Sequence, residues 1–314
     1  MFSVPEGEIA VYGAEGPDDL VALPKDRITV SQRMKPSADA LAEAGFRVGD
    51  PSGAPALSVV FIPRSKALAR AWVAEAARIT KGPVIIDGAK TDGIEGLWRE
   101  ARKRAPVSDA LSKHHGKLAV IAEGARFDDW EDPGPRDIGG YVTRLGVFSA
   151  DGVDPGSAAL AEVLPAKLGP RVADLGAGWG YLSRAILERA GVEELHLVET
   201  DRVALDCARE NVADPRALFH WADVTTYQAP GFDDVVMNPP FHQGRAASPE
   251  LGIAFIDAAR RLLKPHGRLW LVANRHLPYE RALDVTFAEV AEIGHTPSFK
   301  LFRAVRPRKR RTRS

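Results

Sequence analysis

Val172-Ala173-Asp174-Leu175-Gly176-Ala177-Gly178-Trp179-Gly180 decides how this chain is read. An apolar run carrying one carboxylate passes into three alternating glycines, and Tyr181–Ala190 follows with helical spacing. Strand, tight turn and helix in that order is the opening unit of a parallel α/β sheet. Gly176 and Gly178 let the backbone adopt positive φ, and they let a ligand lie against it with no Cβ in the way. Twenty-three residues after Gly176, the strand-like run Leu195–Val198 ends in Glu199. A carboxylate at that place can accept both hydroxyls of a ribose.

Two cofactor classes suit this layout, a dinucleotide and S-adenosylmethionine. A dinucleotide turn wants glycine at position 181, which is Tyr. Asp174, just before the turn, argues against a pyrophosphate and suits a cationic ammonium or sulfonium. The glycine spacing therefore favours S-adenosylmethionine, with Asp174, Gly176, Gly178 and Glu199 as candidate cofactor residues. Ala217–His220 reads as the next strand and ends at Trp221-Ala222-Asp223. Asp223 can accept from an adenine amino group, the alternative being a helix-capping or solvated Asp.

Val235-Val236-Met237 reads as a buried parallel strand that runs into Asn238-Pro239-Pro240-Phe241. Ligands of open α/β sheets bind at such strand ends. The prolines fix φ and hold the residue before each extended, so the loop is stiff. It can present the Asn238 carboxamide and the Pro239 carbonyl as acceptors, with the Phe241 ring beside them. That set fits a flat group bearing an exocyclic amine: two acceptors for two hydrogens, and a ring to stack on. Asn238, Pro239 and Phe241 are the candidate catalytic residues, and Asn238 also borders the cofactor. His242 is either an orienting residue or a proton acceptor. Beyond it lie the helix Leu251–Leu263, the turn Lys264–Gly267, the strand Arg268–Ala273, and an antiparallel pair, Val290–Ile293 and Phe299–Val305. The second half thus carries about seven strands.

In the first half, Leu57–Ile62, Val84–Ile86 and Leu118–Ile121 read as strands. Ser65–Ile79 and Gly93–Lys103 read as helices, with Ser65 and Asp92 as N-caps. Lys25–Phe46 reads as a further helical stretch ending at Gly45. Aligning Asp87 with Asp174 places Gly93 on Gly180, but Ala89 and Thr91 fall where the later copy has Gly176 and Gly178. Cβ atoms there would crowd a ligand. This half is expected to be a structural duplicate without a small-molecule pocket, the alternative being an unrelated α/β domain. Arg64, Lys66, Lys113, His114, His115 and Lys117 are either RNA contacts or solvated charge. The adjacent His114-His115 pair diverges and lacks partners, so no metal site is expected.

Asp128–Asp137 is acidic and rich in Pro and Gly, which marks a boundary near 135. Ser157 is expected to cap a helix running through Leu164, and the loop before it could fold over a ligand. Lys+Arg and Asp+Glu both number 42, so overall charge gives no pull toward nucleic acid. Seven cationic residues nevertheless crowd the last twelve positions, from Arg303 to Arg313. Cys207 is the lone cysteine, which excludes an internal disulfide and suits a reducing compartment. No apolar run approaches eighteen residues, and Met1–Glu6 lacks a leader pattern. A cytoplasmic protein with no membrane partner is expected.

These residues resemble the class I S-adenosylmethionine-dependent methyltransferases, and more narrowly the RsmC-type guanine-N2 methyltransferases of small-subunit (16S) ribosomal RNA. Gly146-Val147-Phe148-Ser149, the 174–180 turn, Asn238–Gly244, Ala273–Tyr279 and Phe299–Ala304 carry the resemblance, in order, across 141–305. Glu199 stands where Asp is common, and a basic tail is not a general feature of the family. The resemblance implies two Rossmann-like methyltransferase domains in tandem: a degenerate copy over 1–135 for RNA recognition or support, a seven-stranded catalytic domain over 136–305, then the tail 306–314. It implies methyl transfer to a guanine N2 in ribosomal RNA or the small ribosomal subunit, by a monomer. Two alternatives stay open. One is a methyltransferase for another planar amine or amide, such as DNA adenine or protein glutamine; the other is a non-catalytic RNA-binding assembly factor.

Overall fold

Each residue of the strand Ile9–Tyr12 is buried, with Ile9 and Val11 entering one core cluster and Ala10 and Tyr12 another. That is the pattern of a strand covered on both faces. A computed structural model describes residues 3–113, 115–240 and 249–309, together with the backbone of 242–243 and 246–247. The chain divides into two units, Met1–Gly134 and Pro135–Ser314.

The first unit holds β1 (Ile9–Tyr12), β2 (Ile28–Ser31), β3 (Arg47–Val48), β4 (Leu57–Phe61), β5 (Val84–Ala89), β6 (Leu111–Lys113) and β7 (Gly116–Ile121). Its helices are α1 (Lys35–Glu43), α2 (Lys66–Ile79) and α3 (Ile94–Ala101). The strand order is β3-β2-β1-β4-β5-β7-β6, with β7 antiparallel to both its neighbours and the other pairs parallel.

The second unit repeats that plan. It contains β8 (Arg171–Leu175), β9 (Glu194–Glu199), β10 (Ala217–Trp221), β11 (Phe232–Met237), β12 (Leu263–Asn274), β13 (Phe287–His295) and β14 (Phe299–Pro307). The helices are α4 (Pro155–Val163), α5 (Tyr181–Leu187), α6 (Arg202–Asn211), α7 (Pro249–Leu262) and α8 (Tyr279–Thr286). The order β10-β9-β8-β11-β12-β14-β13 is the first sheet's order with every number raised by seven, and the strand directions match pair for pair. The tandem Rossmann-like architecture is therefore present, the first sheet being a copy of the second.

Several local expectations need correction. Lys25–Phe46 is not one helix: Lys25–Arg27 is a single 3-10 turn, the β-branched Ile28-Thr29-Val30 lies in β2, and only Lys35–Glu43 is α-helical. Ser65 does cap α2, its Oγ accepting from the Leu68 N–H, but Gly93 at φ +91° rather than Asp92 precedes α3. The Asp87–Asp174 alignment also fails. Asp87 lies in β5, whose counterpart is β12, whereas Asp174 lies in β8, whose counterpart is β1. Part of the acidic stretch belongs to the first unit's core, where Trp130 is buried and stacks on Phe127 at 4.8 Å.

The cations offered to phosphates are largely paired. Lys66 meets Glu100 at 2.7 Å, Lys117 meets Glu95 at 2.6 Å, and Arg64 lies 3.8 Å from Asp92. His114 lies outside the described residues. At the other end, Arg306 belongs to β14 and pairs with Glu289. Arg308 donates its N–H to the Thr286 carbonyl and its Nε to that of Phe287. Residues 306 and 307 thus belong to the sheet and Arg308 is tied to it by hydrogen bonds, while 310–314 lie outside the described residues.

Candidate active site

The β8–β11 pairing sets the geometry. Leu175 is in register with Met237, so the residues that follow, Gly176 and Asn238, leave the sheet side by side. Both line one cavity, with Gly178, Phe148, Asp154 and Ser157 among the others around it. The bend is built as the sequence predicts, with φ of +76° at Gly176 and +55° at Gly178. A Cβ placed on Gly178 would meet no protein atom within 4 Å, so the space beside it is open to a ligand. Gly180 serves packing instead: a Cβ there would come within 2.8 Å of Val212.

Asp174 is fully buried at the end of β8. Its Oδ2 accepts from Ser183 Oγ at 2.6 Å, while its Oδ1 is buried with no hydrogen-bond partner. Burial pushes its carboxyl up to about 7; the Ser183 hydroxyl opposes this and the nearby Glu199 adds to it. An orphaned carboxylate oxygen behind a glycine bend is a costly arrangement that a cationic ligand would relieve. On this test the residues present fit S-adenosylmethionine and its ammonium.

Glu199 closes β9 and is tied to the same bend. Its Oε2 accepts from the Gly178 N–H at 2.8 Å and its Oε1 from the Asp201 N–H at 2.8 Å. Burial raises its pKa, and these backbone bonds work against the rise. Asp223 stands just past the end of β10, where its Oδ1 accepts from both the N–H and the hydroxyl of Thr225 at 2.8 Å. No helix starts at Asp223, so the helix-capping alternative is not realised; Asp223 instead holds the turn at 224–226 through one oxygen. Asp174, Glu199, Asp223 and Pro239 are not among the residues lining the cavity, Asp174 and Pro239 being buried. Phe241 and the His242 side chain lie outside the described residues.

Asn238 is held by residues far away in the sequence. Asp154, not Ser157, caps α4, its Oδ2 accepting from the Ser157 N–H at 2.8 Å. The same Oδ2 accepts from Asn238 Nδ2 at 2.8 Å, and Ser157 Oγ lies 2.9 Å from that nitrogen. The α4 terminus sits close on β14, where a Cβ on Gly156 would lie 3.1 Å from the Phe299 ring. The Gly146–Ser149 stretch also contributes. Trp179 Nε1 donates to the Phe148 carbonyl at 3.0 Å, Ser149 takes φ +54°, and the Phe148 ring at the cavity is 57% exposed. Asp154 and Ser157 lie 84 and 81 positions from Asn238, and no local pattern announces such a pairing.

Among the described residues no group of His, Cys, Asp or Glu could hold a metal ion, and no helix is long and apolar enough to cross a membrane.

Comparison with known proteins agrees with this geometry. The family model for the methyltransferase small domain matches residues 140–303. Ribosomal RNA small subunit methyltransferase C of Shewanella loihica is 30% identical over 258 residues, covering 78% of this chain and 75% of that protein. Ribosomal RNA large subunit methyltransferase G of Shewanella amazonensis is 31% identical over 244 residues, covering 73% of this chain and 63% of that protein. Among solved structures, the 16S rRNA N2 methyltransferase RsmC of T. thermophilus, in complex with AdoMet and guanosine, superposes with a TM-score of 0.80. It is 25% identical, and the match covers 97% of this chain and 90% of that one. A domain match over half the chain, a relative aligned over three quarters of its own length and a solved structure shared across both units point the same way: the chain belongs to the RsmC-like class I S-adenosylmethionine-dependent methyltransferases.

Proposed function

We propose that this protein transfers a methyl group from S-adenosylmethionine to the exocyclic N2 of a guanine in 16S ribosomal RNA. The observation that carries this reading is the shared cavity of Gly176, Gly178 and Asn238, in a chain whose solved relative holds AdoMet and guanosine. S-adenosylmethionine supplies, when bound, an electrophilic methyl carbon attached to a sulfur that leaves as a neutral thioether.

The residues here bind and orient. Asp174 Oδ1 takes the ammonium, Gly176 and Gly178 offer backbone at close range, Glu199 accepts the ribose hydroxyls, and Asp223 accepts the adenine amine. Asn238 Oδ1 and the Pro239 carbonyl accept the two hydrogens of the guanine amine, and Phe241 stacks on the base. The 2-amino lone pair is delocalised into the ring and is a poor nucleophile, so acceptors that favour positive charge on that nitrogen lower the barrier. The nitrogen gains the methyl carbon and then releases one proton to water. Alignment of the two reactants accounts for much of the acceleration, up to about 7–11 kcal/mol in well-oriented systems. A guanine inside a duplex cannot reach the cavity, so the target base is unpaired or flipped out.

The first unit serves RNA recognition, and the protein works as a cytoplasmic monomer on the small ribosomal subunit. The large-subunit relative makes the large subunit the second substrate to try. The test is to incubate the protein with methyl-labelled cofactor and small subunits, large subunits, naked 16S RNA, DNA or bulk protein, then locate the modified atom by mass spectrometry. N2-methylguanine in 16S RNA is expected. Label confined to the large subunit, DNA or protein overturns the substrate, and no label in any arm overturns the activity.

A further inference from the structure

We propose that Asp154 is a positioning residue that fixes which way the Asn238 carboxamide faces. The proposal rests on the reading of Asn238 as an amine acceptor. A carboxamide has one accepting and one donating end, and only the accepting end can meet an amine's hydrogens. Both hydrogens of Asn238 Nδ2 are directed into the α4 terminus, one to Asp154 Oδ2 and one to Ser157 Oγ. The accepting Oδ1 is thereby the end turned away from α4. Reversing the amide would set Oδ1 against Asp154 Oδ2, two acceptors with no hydrogen between them.

The two partners are not equivalent. A serine hydroxyl can accept or donate, so Ser157 alone would tolerate either orientation. A carboxylate only accepts, so Asp154 makes the choice. It is also anchored independently of Asn238, because the same oxygen caps α4 through the Ser157 N–H. Close approach of Gly156 to the Phe299 ring holds that terminus on β14. The acceptor corner thus takes its polarity from a helix cap 84 residues upstream.

Separating this role from simple capping requires two substitutions. Ser, Asn and Asp all cap helices well. Asp154→Ser keeps the cap but is too short to reach Asn238, whereas Asp154→Asn can place its carbonyl oxygen where Oδ2 stands and keep both bonds. The full-length chain, S-adenosylmethionine and small ribosomal subunits are the assay components. Asp154→Ser is expected to lower kcat about tenfold or more, below the 10²–10³ typical of removing an oriented group outright. Cofactor Kd stays within about threefold, and Asp154→Asn restores kcat to within about threefold of wild type. In a double-mutant cycle, Asp154→Ser adds nothing to Asn238→Ala, because the group it orients is already gone.

Wild-type turnover in Asp154→Ser, or an undiminished further loss on the Asn238→Ala background, overturns the proposal while the Asn238 reading stands. Near-wild-type turnover in Asn238→Ala alone overturns the reading beneath it. Should Asp154→Ser fail to fold, Asp154→Thr carries the test, since threonine also caps helices and is likewise too short to reach Asn238. A few-fold loss of kcat that vanishes on the Asn238→Ala background supports the clamp, and a loss that persists there overturns it.

Discussion

Strand β1 runs out through Val11-Tyr12-Gly13-Ala14-Glu15, and its counterpart β8 through Asp174-Leu175-Gly176-Ala177-Gly178. Tyr12 pairs with Ser31 and Val60 as Leu175 pairs with Val198 and Met237, which fixes the correspondence residue by residue. Val11 then stands where Asp174 stands, Glu15 at Gly178, Gln32 at Glu199 and Phe61 at Asn238. Gln32 is buried and donates to the Ala14 carbonyl at 2.7 Å, so even the tie from the second strand to the first turn survives with a neutral side chain. A Cβ on Gly13 would come within 2.6 Å of the Trp72 ring, against 3.3 Å from Phe255 at Gly176. The seven-strand plan persists without the polar groups, so those groups are not what folds it. What the second sheet keeps in addition is a buried carboxylate with an unanswered oxygen and an amide aimed by a helix cap. Both are destabilising or demanding features that make sense only with a ligand present.

Substitutions at matched positions sharpen the contrast. The largest effect belongs to the acceptor pair. Asn238→Ala is expected to cut kcat by about 10²–10³ with cofactor affinity within a few-fold, as for other oriented groups removed from a reaction centre. Phe61→Ala should leave turnover unchanged and cost about 1–3 kcal/mol of stability, less than a fully buried phenylalanine. Radiolabelled methyl transfer and denaturant unfolding measure the two. Equal effects on turnover would erase the functional distinction between the sheets.

The next effect concerns protons. The folded Asp174 carboxyl sits at about 7, above its ordinary value near 3.8, so the fold favours the protonated form. Its contribution to stability is complete below about pH 4 and is lost as pH rises through about 7. Asp174→Asn is therefore expected to raise the unfolding midpoint at pH 8 and leave it unchanged at pH 4, at about 2–4 °C per kcal/mol recovered. Cofactor binding runs the other way, because an ammonium pairs with the ionised form. Affinity should climb up to about tenfold per pH unit toward pH 7, before an α-amino group near about 7.7–8.0 starts to lose its own charge. Asp174→Asn should flatten that climb in a titration series, and an unchanged slope would remove Asp174 from the cofactor site.

The smallest effect is at the chain's basic end. Truncation after Lys309 spares the Arg306 and Arg308 contacts that hold β13 and β14. It should leave stability unchanged and weaken RNA binding more at low salt than at high, since each lost phosphate contact reduces the salt slope by about 0.7–0.9. Filter binding across a salt series reads this directly, and an unchanged slope would take the tail out of RNA binding.

Much of the second sheet was legible because its signals are local. Alternating glycines after an apolar run, and Asn238 ahead of two prolines, state their own conformations through φ alone. The first sheet was harder to read. Ile28–Ser31 is four residues long inside a stretch with helical spacing, and β1 is equally short. Matching Asp87 to Asp174 failed because sheet order is a long-range property, and a look-alike turn after the fifth strand carries no mark of its place. The Asp154 clamp was invisible for the same reason: capping is readable from sequence, but the partner 84 residues away is supplied by the fold.

The most direct test of the whole account is calorimetric titration of S-adenosylmethionine into the intact chain and into Gly178→Glu, which puts at the second sheet's bend the residue type that stands at Glu15. One cofactor per wild-type chain, and none for a variant whose circular dichroism and unfolding remain cooperative, is the expected result. Two sites per chain, or one site that survives Gly178→Glu, would contradict it.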